Sequence, residues 1–303
     1  MAARIHVIVL HWGDPAVTAS CLDSLRDLPE SLAEVVVIDN GTPDRSGERL
    51  AESHARFTHL RHERNLGFAG GNNAAMRRAL ERGAEAVLLL NNDAELTPGA
   101  LISLSAALEQ PRVGLVNPKI LHHDPPQTIW YAGGKHSLWA GHSRHRGRGE
   151  SDQGQHDRAG EVTFVTGCAL LIRREVLEQV GLFDESLFMY AEDLDLGLRA
   201  RRAGWRLWYE PAATVLHREK VLRRKTVADP FRLRLATRNA LRVNWRHASL
   251  PQRITFVPWF GLRWVLYLTV KNLLLGFPGD AAAVWRGVFD AVRGRTGSLE
   301  SVH

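Results

Sequence analysis

Three groups of residues have types and spacings suited to chemistry. The first is Asn91-Asn92-Asp93-Ala94-Glu95, which follows the apolar run AEAVLLL. A carboxylate at the end of a buried strand projects into the crevice where open α/β sheets bind their ligands. Mg2+ or Mn2+ needs only one or two protein carboxylates there when substrate phosphates supply the other oxygens. The competing structural reading is an aspartate that caps the next helix.

The second group is Glu192, Asp193 and Asp195, in the first turn of a helix expected from about Glu192 to Ala203. Glu192 and Asp193 are adjacent and point in different directions, whereas Asp195 lies three residues on from Glu192. Acids favour helix N-termini through the macrodipole, which explains the pattern without function. The functional alternative is a general base that takes a proton from an alcohol. The third group is Asn65-Leu66-Gly67-Phe68-Ala69-Gly70-Gly71-Asn72-Asn73. Its glycines let backbone approach a ligand, and the helix N-terminus that follows favours anions. The spacing fits neither a dinucleotide fingerprint nor a P-loop, and no Lys-Ser/Thr pair follows. That argues against dehydrogenases and NTPases.

The elements that must position these residues alternate over the first 120 positions. HVIVLHW, EVVVIDN, FTHLRH, AEAVLLLNND and VGLVNPKI read as buried strands. AVTASCLDSLRDL, NNAAMRRALERG and LTPGALISLSAALEQ read as helices, the last capped by Thr97 with Pro98 at its first position. Such alternation implies a parallel sheet covered on both faces. The strand tips His11-Trp12-Gly13, Asp39-Asn40 and Asn91-Asn92-Asp93 then share one edge. Residues 133–160, rich in Gly, His and Arg, read as a mobile polar loop, because the four histidines have no regular metal-ligand spacing. EVTFVTGCALLIRR is strand-like with a glycine break, and two short strands are expected between 204 and 217.

The chain has 303 residues, 45% hydrophobic and 24% charged, which excludes disorder, collagen-like and low-complexity classes. Cys21 and Cys168 cannot form a disulfide framework and suit a reducing compartment. The apolar run in MAARIHVIVLHWGD is too short for a signal peptide, so the bulk of the protein is expected in the cytoplasm. The net charge is +6, yet residues 199–238 carry twelve Arg or Lys against three acids. Such a block suits an anionic partner or, more blandly, a solvated face. Aromatic residues are not interleaved with it as single-strand binders require, so nucleic acid is not an expected partner.

Beyond residue 235 the composition changes. ATRNALRVNWRH is a helix. ITFVPWFGLRWVLYLTVKNLLLGF is almost wholly apolar but carries Arg263 and Lys271 and is interrupted by Pro258 and Gly261. It has the length of a bilayer span, but its charges and breaks suit an interfacial helix. DAAAVWRGVFDAVRGR is a second amphipathic helix. The alternative is a helical pair packed on the catalytic domain or on a second subunit, as in a homodimer.

Six segments taken in order over residues 5–247 resemble family 2 glycosyltransferases of the GT-A fold, and among them bacterial rhamnosyltransferase-like members. They are VIVLHWGDPAVTASCLDSL, VVVIDNGTPD, RNLGFAGGNNAAM, LLLNNDAEL, VTGCALLIRREVLEQVGLFDESLFMYAEDLDLGLRARRAGW and TRNALRVNWRH. The resemblance implies an α/β GT-A domain over 1–225, with a nucleotide-binding half at 1–120 and an acceptor half at 121–225, followed by a helical extension at 226–303. It implies that His11, Trp12, Asp39, Asn65, Gly67, Gly71, Asn72, Asn91 and Asn92 line the donor site. Asp93 is the metal ligand of a DXD-type motif whose first acid is replaced by Asn91. His217 stands where a late metal or diphosphate ligand is found, a structural histidine being the alternative. Asp193 is the catalytic base, and Glu192 orients the acceptor.

The implied reaction is an inverting transfer with Mg2+ or Mn2+. The donor is a nucleotide-sugar, dTDP-rhamnose first and a UDP-sugar next. The acceptor is a cell-surface glycan or a polyprenyl-diphosphate-linked sugar at the inner face of the cell membrane. The basic run Arg218, Lys220, Arg223, Arg224 and Lys225 would fold over the diphosphate or meet the lipid-linked acceptor. The competing readings are a nucleotide-sugar hydrolase or nucleotidyltransferase on a similar sheet, and a non-catalytic anionic-ligand binding module.

Overall fold

A computed structural model describes residues 5–218 and 229–298. Its strands are β1 (Ile5–His11), β2 (Ala33–Asp39), β3 (Thr58–Arg61), β4 (Ala86–Asn91), β5 (Ala94–Leu96), β6 (Val113–His122), β7 (Ile129–Tyr131), β8 (Gly134–Ser137), β9 (His142–His145), β10 (Gly160–Val162), β11 (Ala169–Arg173) and β12 (Arg206–His217). Its helices are α1 (Pro15–Ser24), α2 (Ser46–Ser53), α3 (Gly67–Glu81), α4 (Ala100–Leu108), α5 (Arg174–Val180), α6 (Glu192–Arg202), α7 (Pro230–His247), α8 (Leu250–Phe260), α9 (Tyr267–Leu274) and α10 (Pro278–Val292).

The main sheet runs β10-β12-β6-β11-β4-β1-β2-β3. The continuous apolar runs of β1, β2 and β4 are buried on both faces, as strands covered by crossover helices must be. They pair in parallel, with His11 opposite Asp39 and Leu10 opposite Asn91. β11 is antiparallel to both β4 and β6, so its N-terminal end meets the C-terminal tip of β4. β5 pairs antiparallel with β12, setting His217 opposite Ala94. Strand tips from both halves of the sheet thus converge on one edge.

Several sequence expectations change. The Gly-Asn segment is helical from Gly67 onward, so it forms the opening turns of α3 and is not a loop ahead of it. Helix α4 begins at Ala100 with Gly99 as its cap, and Thr97 donates instead to the Thr214 carbonyl at 2.7 Å. The two strands expected between 204 and 217 are one strand, bulged where Glu210-Pro211 interrupts pairing with β6. Residues 133–160 are ordered around the β8–β9 hairpin. His136 is held between Ser143, at 2.9 Å, and Asn244 of α7, at 3.1 Å. Lys119 is paired with Asp152, at 2.8 Å, and with Asp157. Backbone pairing and the ion pairs to Lys119 order a segment whose composition is mostly polar.

The C-terminal helices carry their own small core of Ala248, Phe256, Phe260, Val265 and Val284. A π-helical turn, Gly261–Leu266, joins α8 to α9, and no described helix is long and apolar enough to cross a membrane. The boundary expected at 225/226 and the basic positions Lys220, Arg223, Arg224 and Lys225 lie outside the described residues.

Candidate active site

The site is built on a turn between β10 and β11. Asn117, fully buried in β6, accepts from the Thr166 amide at 2.9 Å and donates to the carbonyls of Thr166 and Ala169. The turn is thereby fixed at both ends. On one side the Cys168 carbonyl accepts from the Asn91 amide at 2.8 Å, joining the tip of β4. On the other, the Gly167 amide donates to Asp193 Oδ2 at 2.9 Å. The tip of β4 at Asn91, two residues before Asp93, and Asp193 on α6 are therefore tied to one three-residue bridge.

Asp193 Oδ1 accepts a second amide, that of Leu194, at 2.7 Å. Burial raises its pKa while these two donors act to lower it. Its neighbour Glu192 is 5% exposed and its Oε2 is buried without a hydrogen-bond partner. Burial, and then the charge of Asp193, push Glu192 well above the usual carboxylate range. Both acids are thus raised above their ordinary values, Asp193 in spite of its two amide donors. Asp195 turns away to receive Arg199 Nε and His247 Nε2, each at 2.8 Å, and ties α6 to α7.

Asp93 is partly exposed, and its Oδ1 lies 3.1 Å from Nε2 of the buried His217. Burial acts to raise the Asp93 pKa, but the hydrogen bond and charge of His217 hold it below the ordinary value. Burial acts to lower His217, yet Cys168 and Asp93 together raise it to about 11. One carboxylate and one imidazole make a two-donor half-site. That donor set fits a divalent cation whose remaining positions are filled by phosphate oxygens, and ligation through His217 requires that its proton leave. Arg218, first of the basic run, is turned back onto Glu95 Oε1, with its Nε at 2.8 Å.

The donor-half residues divide between lining and bracing. Trp12 is 40% exposed beside the strand tips. Asn92 donates to Thr18 Oγ1 at 2.9 Å, Thr18 Oγ1 lies 2.8 Å from His11 Nδ1, and His11 Nε2 lies 2.9 Å from Ser46 Oγ. Ser46 donates onward to Asp44 at 2.6 Å, so His11 must donate from Nε2 and accept at Nδ1. Both of its nitrogens are used, and burial lowers its pKa. It braces the tips from behind, with no ring nitrogen left for a ligand. Asp39 Oδ1 accepts from the Thr42 amide at 2.8 Å, and its Oδ2 is buried 3.6 Å from Arg61 Nε.

Asn65 Oδ1 accepts from the Gly67 amide at 2.8 Å and from Asn40 Nδ2 at 3.0 Å. Gly67 has φ +73°, and a Cβ there would stand 2.4 Å from the Phe188 carbonyl oxygen. A Cβ on Gly71 would press on Leu10 at 2.6 Å. These glycines make room for neighbouring protein, not for a ligand. Asn72 donates to the Phe68 carbonyl at 2.8 Å within its own helix.

The residues not singled out from sequence are Asn117, Gly167, Arg238 and Asn239. Asn117 reads as one polar position in a strand and only its burial reveals its role. Gly167 is the glycine break of the strand-like segment. Arg238 and Asn239 lie in an amphipathic helix where charge is commonplace.

The sequence profile of glycosyl transferase family 2 matches residues 6–181. The chain is 30% identical over 223 residues to the N-acetylglucosaminyl-diphospho-decaprenol L-rhamnosyltransferase of Mycobacterium tuberculosis, covering 65% of this chain and 70% of that protein. It is 24% identical to the dTDP-rhamnosyl transferase RfbF of Shigella flexneri over 72% of this chain and 70% of that one. Among solved structures it resembles GalNAc-T7 crystallised with UDP, GalNAc and Mn2+, with a TM-score of 0.64 and 14% identity, over 98% of this chain and 55% of the other. The fold is GT-A. The chain belongs to glycosyltransferase family 2 and is a glycosyltransferase.

Proposed function

We propose that this family 2 glycosyltransferase moves a sugar, rhamnose in the first place, from a nucleotide-diphospho-sugar to a hydroxyl of a polyprenyl-diphosphate-linked or other cell-surface glycan, with inversion at the anomeric carbon. The observation that carries the reading is the Thr166–Cys168 bridge, which joins Asn91, two residues before Asp93, to Asp193. Asp193, held between two amides, takes the proton of the acceptor hydroxyl as that oxygen attacks the anomeric carbon. The bond from that carbon to the diphosphate breaks on the opposite face, and the diphosphate leaves with the electron pair. Asp93 and His217 would hold Mg2+ or Mn2+, which when bound neutralises the charge of the leaving diphosphate. Glu192, protonated, offers the acceptor a hydrogen bond. Trp12, Asp39, Asn91 and the α3 turn shape the nucleotide end, and His11, Asn65 and Asn92 hold those elements in place. The rhamnosyltransferase relatives support dTDP-rhamnose ahead of UDP-sugars.

Membrane contact is part of the proposal. Helices α8–α10 expose Leu250, Ile254, Trp259, Leu262, Leu266 and Leu274, each at least 42% accessible. Arg253 lies over Trp245 at 4.7 Å and Arg263 over Trp259 at 5.1 Å. Within 250–298 the only acids, Asp280 and Asp290, are both 1% exposed, whereas Arg263, Lys271, Arg286 and Arg293 face outward. An apolar face whose own helices expose cations and bury their acids suits an anionic bilayer surface, here the inner leaflet of the cell membrane.

The deciding experiment incubates the protein with dTDP-rhamnose, Mn2+ and an N-acetylglucosaminyl-diphospho-polyprenol, alongside Asp193→Asn. The variant is expected to keep the donor-induced rise in melting temperature while transfer falls about 10²–10⁴-fold. Near-normal transfer by Asp193→Asn would remove the base assignment. Release of free sugar at the same rate without acceptor would make the protein a hydrolase.

A further inference from the structure

We propose that Arg238 and Asn239 of α7 are positioning residues for the catalytic base, holding residues 187–191 so that α6 begins with Asp193 aimed into the cleft. The inference rests on the reading of Asp193 as the base.

The segment before α6 is conformationally costly. Phe188, Tyr190 and Ala191 have φ of +63°, +75° and +67°, a region side-chain-bearing residues rarely occupy. Something outside the segment must impose that shape, and the hydrogen bonds identify it. Asn239 Nδ2 lies 2.8, 2.8 and 2.9 Å from the carbonyl oxygens of Leu187, Met189 and Tyr190. The Phe188 carbonyl, facing the other way, accepts from the Ala69 amide of α3 at 3.1 Å. The Ala191 carbonyl accepts from the Asp195 amide at 2.9 Å and so opens α6. Five successive carbonyls are thereby assigned, three of them to one side-chain amide.

Arg238 fixes that amide. Its Nε donates to Asn239 Oδ1 at 2.8 Å, which forces Nδ2 toward the carbonyls. Its guanidinium reaches the Leu187 carbonyl at 3.0 Å and the Gly297 carbonyl at 2.8 Å. Both residues are fully buried, and among the described residues Arg238 bonds to an amide oxygen and to backbone carbonyls, with no carboxylate among its hydrogen-bond partners. A buried guanidinium spent on backbone carbonyls is an expensive way to hold a helix. It is economical as a means of fixing a strained turn next to a reacting group.

The test compares Asn239→Ala and Arg238→Lys with Thr237→Val in the full-length protein. Thr237 is a buried neighbour on the same helix that receives Trp264 Nε1 at 3.0 Å. Asn239→Ala is expected to lower kcat about 100-fold with the KM for dTDP-rhamnose within about twofold. The acid limb of its kcat–pH profile should move to higher pH, because Asp193 loses its alignment with the Gly167 amide. Arg238→Lys retains one donor and should fall between. Thr237→Val should match the parent in kcat and pH profile.

Amide hydrogen exchange at Leu194 and Asp195 should quicken in Asn239→Ala, quicken less in Arg238→Lys, and stay as in the parent in Thr237→Val. Parent-like kcat, pH profile and exchange in a folded Asn239→Ala would overturn the proposal. Should that variant fail to fold, Asn239→Ser and Arg238→Lys decide by the same readings. If the parent itself transfers no rhamnose, the proposed function fails, and exchange at Leu194 still decides the positioning role.

Discussion

Asn117 holds Thr166 by both of its backbone polar groups: Oδ1 accepts from the Thr166 amide and Nδ2 donates to the Thr166 carbonyl, each at 2.9 Å. A side-chain amide that mimics a strand partner lets the chain turn sharply in the middle of the sheet while pairing both backbone groups of Thr166. The turn it stabilises is the one that ties Asn91, at the tip of β4, to Asp193. Asn117→Ala leaves the Thr166 amide and carbonyl buried without this partner. The expected cost is about 1–3 kcal/mol of stability, read from urea unfolding. Transfer should fall further than the stability loss explains, because the Gly167 amide drifts from Asp193. Activity unchanged in a folded variant would reduce Asn117 to a packing residue.

Glu192 has a folded-state pKa above its unfolded value. Its carboxyl therefore favours folding at low pH, and that contribution is lost as pH rises from the unfolded value of about 4.3 through the folded one. Glu192→Gln mimics the protonated form. Its melting temperature relative to the parent should be no higher at pH 4 and should gain steadily toward pH 8. A constant difference across that range would mean that Glu192 is ionised in the folded protein.

His136 behaves in the opposite sense. Burial lowers it to about 4, against the ordinary 6.5. Its contribution is intact above pH 6.5 and declines as pH falls toward 4, where the unfolded chain takes up a proton that the folded hairpin refuses. His136→Gln should flatten the pH dependence of the melting temperature between pH 6.5 and 4. An unaltered slope would place the titrating group elsewhere.

Asp93→Asn removes the charged member of the two-donor half-site. Transfer should drop about 10²–10³-fold, as expected when several kcal/mol of charge stabilisation is lost. The increase in melting temperature produced by Mn2+ together with dTDP-rhamnose should disappear. Chelation of divalent ions by EDTA should reproduce the loss in the parent, with recovery on adding Mn2+. A variant as Mn2+-dependent as the parent would move the cation away from Asp93.

The paired change Leu262→Glu and Leu266→Glu places acids on the exposed face of α8–α9. The parent should sediment with vesicles containing anionic phospholipid and the variant should remain in solution, with kcat on a water-soluble acceptor unchanged. Equal sedimentation would assign the face to another partner. Deleting residues 250–303 is a poorer test. α10 supplies Asp290 to Arg234 at 2.6 Å, and the chain beyond it supplies the Gly297 carbonyl to Arg238. Losing both would disturb α7 itself.

Continuous apolar runs made the parallel part of the sheet readable, because strands buried on both faces leave no other pattern. Asp93 and Asp193 were readable as acids at a strand tip and a helix start. The β8–β9 hairpin was not, since its order comes from backbone pairing and from Asn244, more than a hundred positions away. The glycines at 67 and 71 were visible, but what fills the space they leave was not: Phe188 arrives from beyond position 180. Asn239 illustrates the general limit. Its periodicity marks a helix, whereas its function depends on three carbonyls some fifty residues earlier.

The hydrogen-bonded relay from Asn92 through Thr18, His11 and Ser46 to Asp44 spans the tips of β4 and β1 and ends ahead of α2. No link can slide without breaking the next, so the interval between the first and second crossover tips is set like the jaws of a locked caliper. A molecule seated at one jaw finds the other at a predetermined distance.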